Sequence, residues 1–429
     1  MTLRVVELIL KSGERHSLLV DEHGLPDWWS SLWVLEKLRP KGMASNTIST
    51  KLRAVLVLYR ALPLAQDLTS RLARGEWLSL SEIDHLIEQM GLPAELIKPF
   101  NNKKGDDYSS FQKRSKVLKL ENFRSKLLIQ QQLEVTGRTK ALRLQFIREY
   151  FWWRIESQIM RSRGQAKISH AILRDEIDKY IESKTTNIRD GTGLGEPKGL
   201  TEDQQALLLE VIQQIDPRNP WKDDRFIRVR NQLIVELFLA CGPRRGGILG
   251  IKVPDIDHHT GRISMLRRPD DPEDSRTVQP GLKRGEYKIP LGDRILRLLK
   301  EYQVLRHRKV KGRHQYLIVS EGGKPLDHSS INYILRSLRE IPSLANIHPH
   351  LLRHTWASNH ARQRYTEGAG IEQIEMELCT LGGWSNRSKM PTYYTRQFAN
   401  EQSYDSSLRL QAKAAPIRIR KQNSTDGAE

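Results

Sequence analysis

Three short stretches of this chain place basic, imidazole and phenolic side chains where together they can act on an anion. The first, CGPRRGGILGIKVPDID at residues 241–257, must end a helix at Gly242-Pro243 and puts Arg244 and Arg245 at the turn into the next element. An arginine held at such a rigid corner can point its guanidinium outward. The second, HPHLLRHTWASNH at residues 348–360, starts a helix at Pro349, which sets His350 and Arg353 three residues apart on one face. The third, LGGWSNRSKMPTYYTR at residues 381–396, puts Trp384 in a turn and brings Tyr393-Tyr394 after a proline, with Arg387, Lys389 and Arg396 surrounding the phenols with positive charge.

Each stretch also has a plainer reading. Arginines at helix ends commonly satisfy terminal carbonyls and the helix dipole, which would account for Arg244. His350 and His354 stand at i and i+4, a spacing that can hold a metal, but Leu351-Leu352-Arg353 lies between them and the glutamate of a zinc-protease helix is absent. Taken alone, Trp384 is a packing residue and the tyrosine pair a half-buried surface feature. The joint order of the three stretches along one chain is what outweighs these readings.

The elements that position them belong to a chain of 429 residues, enough for two or three compact domains. Lys and Arg number 70 against 51 Asp and Glu, a net charge of +19, and the pI is near 9.8. Such an excess favours a polyanionic partner, nucleic acid ahead of a membrane surface, because each cation placed on a phosphate releases counterions. Every apolar run is shorter than the ~18 residues that span a bilayer. The opening MTLRVVELILKSGERH carries no secretory pattern, so the expected compartment is the cytoplasm. Two cysteines, Cys241 and Cys379, exclude a disulfide framework or a four-cysteine zinc site and are expected to be small buried hydrophobes.

Along the chain, Leu3 to Ile9 and His16 to Val20 flank Lys11-Ser12-Gly13-Glu14 and read as a hairpin. From Pro26 to Leu64 the period becomes helical, with a capping signal at Ser45-Asn46-Thr47 before the helix Ile48 to Leu62. Residues 102–116 read as a loop, and Val117 to Lys184 as two or three helices, whose FIREYFWWRIESQ segment has aromatics at core-like spacing. TTNIRDGTGLGEPKG at 185–199 carries four glycines and a proline and reads as the linker between domains. Beyond it come helices after Thr201 and over Arg228 to Ala240. Three short strands are expected at Gly261 to Leu266, Thr277 to Leu282 and Tyr287 to Leu291, and helices again from Asp293 to about Ala399. The expected domains are therefore an N-terminal β-hairpin (1–22), a helical domain (23–184), the linker (185–199), a larger α+β domain (200–404) and a polar tail (405–429), in which Pro416 to Arg420 reads as an edge strand or partner-binding segment.

Over roughly residues 199–400 the order of these motifs resembles the catalytic domain of the tyrosine recombinase, or phage-type integrase, family. The family's first box, G-L-R-x-x-E-L-x-x-L-x-x-x-D-I, is similar to Gly242-Pro243-Arg244, then Ile248-Leu249-Gly250-Ile251 and Asp255-Ile256-Asp257, which assigns the first arginine to Arg244 and not Arg245. The hairpin lysine corresponds to Lys283, with Arg284 and Lys288 as alternatives. H-x-L-R-H stands as His350-Leu351-Leu352-Arg353-His354, and L-G-H/W as Leu381-Gly382-Gly383-Trp384 with one extra glycine. The nucleophile falls on Tyr394, with Tyr393 as the alternative one residue away. Gly247 departs from the family, which has an acidic residue there.

The resemblance implies a mainly α fold with a small antiparallel β-sheet, a helical core-DNA-binding domain and an α+β catalytic domain. It implies a DNA strand-transferase, a site-specific recombinase that integrates or excises a mobile element as a homotetramer on paired double-stranded sites, with C-terminal segments docking on neighbouring protomers. In that scheme Arg244 and Arg353 clamp the scissile phosphate, Tyr394 forms a 3′-phosphotyrosyl link, and Lys283 protonates the leaving 5′ oxygen. His350 assists proton transfer, and Trp384 donates its indole N–H or packs the site. No ATP, nicotinamide or metal is implied, and no membrane partner. Three competing readings remain: a type IB topoisomerase, which relaxes supercoils alone; a DNA-binding regulator of the same fold without catalysis, to which Gly247 and Gly383 point; and a metal-dependent nuclease.

Overall fold

The computed structural model describes residues 3–63, 68–74, 76–100, 134–185, 199–282 and 285–414. It is mainly helical with two small antiparallel sheets, as expected. Contacts divide the chain into two compact units, one comprising Met1–Glu196 with Asp270–Pro272, the other Pro197–Pro269 with Glu273–Glu429. Among the described residues no helix is long and apolar enough to cross a membrane.

In the first unit β1 (Arg4–Ile9) and β2 (Arg15–Val20) pair antiparallel from Arg4↔Val20 to Ile9↔Arg15. The turn uses Gly13 at φ +86°, a conformation that glycine adopts without strain. Helix α1 (Trp28–Trp33) is capped by the Asp27 carboxylate, which accepts from the Ser30 N–H. Helix α2 (Ser45–Ala61) starts three residues earlier than the sequence suggested: Ala44 is its N-cap, and Ser45-Asn46-Thr47 forms the first turn instead of the cap. Helices α3 (Leu68–Ala73) and α4 (Leu80–Gln89) follow, α4 opening with a reciprocal Ser79/Glu82 capping box. Then come α5 (Gly137–Arg161) and α6 (Gly164–Thr185).

The aromatic segment of α5 is core. Tyr150, Phe151 and Trp153 are buried, Tyr150 meets Trp33 edge-on at 5.1 Å, and its hydroxyl lies 2.7 Å from that of Tyr59. Trp152 faces outward and is covered by the Arg174 guanidinium at 4.2 Å. The expected loop at 102–116, the start of the helical stretch at 117–133 and all but the ends of the linker at 185–199 lie outside the described residues.

The second unit is built on α8 (Arg225–Cys241), which follows α7 (Glu202–Val211). Thr201 caps α7 with Gln204 in a capping box, and Asp224 caps α8. Helix α8 is buried almost all round: Leu233, Ile234, Val235 and Phe238 are each fully covered, contributing on the order of 2 kcal/mol apiece. Short helix α9 (Arg245–Gly250) leads to the sheet β3 (Ile256–Asp257), β4 (Arg262–Met265) and β5 (Tyr287–Pro290), in that order. Helices α10 (Asp293–Val310), α11 (His328–Leu338), α12 (Pro349–Thr366), α13 (Ile371–Gly382) and α14 (Met390–Ala414) complete it.

Two expectations are corrected here. The third strand is Ile256–Asp257 and not Thr277 to Leu282. Just before the expected strand, Arg276 is buried against Asp274 and donates to the carbonyls of Leu249 and Leu326, anchoring the segment as a loop, and Pro280 has no N–H to give a ladder. The segment after Asp405 is helical as far as Ala414, as the continuation of α14; Pro416 to Arg420 lie outside the described residues.

Candidate active site

Three glycine carbonyls at two helix ends hold the two arginines. Helix α8 ends at Gly242, whose φ of +56° closes a left-handed cap, and a Cβ there would lie 2.1 Å from Cε3 of Trp356. Helix α13 ends the same way at Gly383, φ +61°. Arg353, 2% exposed on α12, donates one Nη to the Gly242 carbonyl and the other to that of Gly382 at 2.6 Å. Arg244, the N-cap residue of α9, donates to the Gly383 carbonyl at 3.1 Å. Arg245 turns away and donates to the Asn332 side chain at 2.9 Å.

Trp384 is the floor of the cluster. The Arg353 guanidinium lies 3.9 Å and that of Arg244 5.9 Å from its ring centroid, and Trp356 stacks on it at 6.1 Å and 20°. Burial and the neighbouring Arg244 charge bring the Arg353 pKa down to about 10, still fully protonated at neutral pH.

Tyr394, the fifth residue of α14, is 2% exposed, and its hydroxyl lies 3.0 Å from Nδ1 of His354. Burial pushes this phenol up to about 12, opposed by the charges of Arg353 and Arg244. His354 is held down to about 4 by burial and by His350, His348 and Arg353, so at neutral pH it is uncharged and, as the Nε2–H tautomer, accepts the Tyr394 proton bond. His350 is exposed one turn earlier, its ring 4.4 Å from that of His354. Tyr393 packs edge-on against Tyr394 at 5.4 Å. Next to the phenol, Thr395 donates to Glu375 at 2.9 Å and so ties α14 to α13.

Of the residues expected from sequence, Arg244, Arg353, Trp384 and Tyr394 meet in one cluster, and His350 lies at its edge. Lys283 and its alternative Arg284 lie outside the described residues, and Lys288 is exposed on β5. Gly247 is buried; a Cβ there would meet Cε of Met265 at 2.7 Å, so the methionine methyl fills the place of a side chain. Sequence reasoning missed His354 as the phenol's partner, although its i+4 spacing from His350 was visible. Tyr287 was missed as well: its ring lies against Gly383, and no local pattern announced it. Among the described residues no cluster of His, Cys, Asp and Glu is arranged to hold a metal.

The phage integrase family pattern matches residues 198–401. These residues are thus similar to a phage integrase domain. The chain is 29% identical over 170 residues to the tyrosine recombinase XerC of Staphylococcus epidermidis, covering 37% of this chain and 50% of the relative. It is 24% identical over 198 residues to XerC of Staphylococcus carnosus, covering 45% and 58%. The chain thus spans about half the length of these relatives. Among solved structures, a Tn1549 transposon integrase in complex with circular intermediate DNA matches with a TM-score of 0.40 and 15% identity, over 65% of this chain and 81% of that one.

Proposed function

We propose that this protein is a site-specific DNA recombinase that cuts and rejoins strands through a 3′-phosphotyrosyl intermediate. The observation that carries the reading is the convergence of a histidine-bound phenol with two arginines over one indole floor. In the first step the Tyr394 oxygen bonds to phosphorus, the bond from phosphorus to the 5′ oxygen breaks, and the phenol proton passes to Nδ1 of His354. Arg244 and Arg353 offer N–H donors to the non-bridging oxygens, where charge accumulates. Their preorganisation by fixed carbonyls means that little reorganisation accompanies the transition state. Lys283 is assigned, by resemblance, the proton for the departing 5′ oxygen, and His350 assists at the site's edge. Tyr394 is covered in this state, so its hydroxyl must be uncovered before attack.

The phosphotyrosyl bond preserves the energy of the broken one, and a 5′ hydroxyl from a second duplex reverses the step and seals exchanged strands. Exchange between two sites calls for four copies of the chain, and integration or excision of a mobile element is the use we assign to it. The net charge of +19 supplies the sequence-tolerant part of DNA affinity. The test is a reaction of two differently labelled duplexes, each carrying a tightly bound sequence, in excess chelator. Recombinant products are expected. Relaxation of a supercoiled plasmid without exchange would indicate a topoisomerase, and tight binding with neither product would indicate a regulator.

A further inference from the structure

Tyr287 has no part in the scheme above, yet it stands inside the cluster. Its ring occupies the space that a side chain at residue 383 would need: a Cβ on Gly383 would lie 2.4 Å from Cε1 and 2.7 Å from Cδ1 of Tyr287. The extra glycine that separates Leu381-Gly382-Gly383-Trp384 from the family pattern is therefore the residue that admits this ring. The Tyr287 hydroxyl oxygen is buried, and among the described residues nothing accepts its proton. Arg353 and Arg244 both act on it electrostatically, with Arg353 directed at its oxygen. Burial outweighs them and raises its pKa, so the group keeps its proton at neutral pH. A buried O–H without an acceptor is a cost that folds tolerate where a ligand completes the bond.

We propose that Tyr287 is a further catalytic residue, donating a hydrogen bond from its O–H to a non-bridging oxygen of the scissile phosphate beside Arg244 and Arg353. No bond breaks at Tyr287 and its proton stays in place; the contact strengthens as charge builds on the phosphorus oxygens. The proposal rests on the reading of the site as one that cleaves a phosphodiester. The second glycine and the tyrosine it accommodates become parts of one device.

The test uses the full chain and its Tyr287→Phe variant, which keeps the ring and its packing. Both are reacted under single-turnover conditions with a nicked suicide duplex selected for tight binding. The variant is expected to cleave roughly 10- to 100-fold more slowly, with unchanged DNA affinity and no loss of thermal stability. The duplex is then made with each stereoisomer of a methylphosphonate at the scissile position, which removes one non-bridging oxygen. On the isomer that lacks the contacted oxygen, wild type and variant should cleave at equal rates; on the other isomer the deficit should persist. A structural role would slow both isomers alike. Equal rates on the natural phosphate, or a deficit that persists or vanishes equally on the two isomers, overturns the proposal. Failure of the wild type to form any adduct overturns the reading of the site itself, and this proposal with it.

Discussion

Replacing Gly383 by alanine tests how the site is held together. The residue has φ +61°, which costs a Cβ-bearing residue about 1–2 kcal/mol. The new methyl would also lie 2.4 Å from the Tyr287 ring, an overpacking that costs about 1–3 kcal/mol. Gly383→Ala is thus expected to destabilise the second unit by about 2–5 kcal/mol. It should also slow cleavage, since the shifted backbone carries the carbonyl that holds Arg244. The two costs separate in a double-mutant cycle. Tyr287→Ala removes the clash and leaves the backbone term, so in that background Gly383→Ala should cost only about 1–2 kcal/mol, a coupling of about 1–3 kcal/mol. The assay is equilibrium urea unfolding of the full chain, read on the transition that Gly383→Ala shifts, since the two units can unfold separately. A Gly383→Ala protein as stable as wild type, or one destabilised equally in both backgrounds, would refute the packing argument.

The remaining expectations concern acid stability and the missing carboxylate. His354 is held near 4 in the fold against 6.5 unperturbed, so as pH falls from 6.5 toward 4 the unfolded chain takes up a proton that the folded chain refuses. The stabilisation is complete above pH 6.5 and is lost on acidification; between pH 7 and pH 5 wild type should lose up to about 2 kcal/mol more than His354→Gln, and parallel stability curves would contradict this. Gly247→Glu, which restores the family's acidic residue, should destabilise by about 1–3 kcal/mol and bring no gain in cleavage, because its carboxylate would be buried beside the Met265 methyl and the Leu282 side chain. Adding Met265→Ala should recover part of that loss, and a faster single mutant would show that the carboxylate finds room after all.

Much of this was legible because backbone chemistry is local. Gly242-Pro243 must end a helix, Pro349 suits a helix start, and a helix is expected after Thr201; all three appear as their residue types demand. Where the reading failed, distant groups decided. Thr277 to Leu282 has strand-like composition, but the buried Arg276 and Asp274 pin it as a loop, and a partner 27 residues away at Leu249 is invisible to a local pattern. Helix α14 continues past Asp405 through a polar stretch with no hydrophobic period to reveal it. The pairing of Tyr394 with His354 spans 40 residues, and the seat of Tyr287 against Gly383 depends on a glycine that looked like an insertion.

The central claim, that Tyr394 is the nucleophile of a strand-transferring site, is tested most directly by covalent trapping. Wild type, Tyr394→Phe and Tyr393→Phe are incubated in chelator with a nicked suicide duplex selected for tight binding, then denatured and resolved by size. A denaturation-resistant protein–DNA adduct in wild type and Tyr393→Phe, absent in Tyr394→Phe, is the expected result. An adduct lost only in Tyr393→Phe would move the nucleophile to the neighbouring residue, and tight binding without any adduct would contradict the catalytic account.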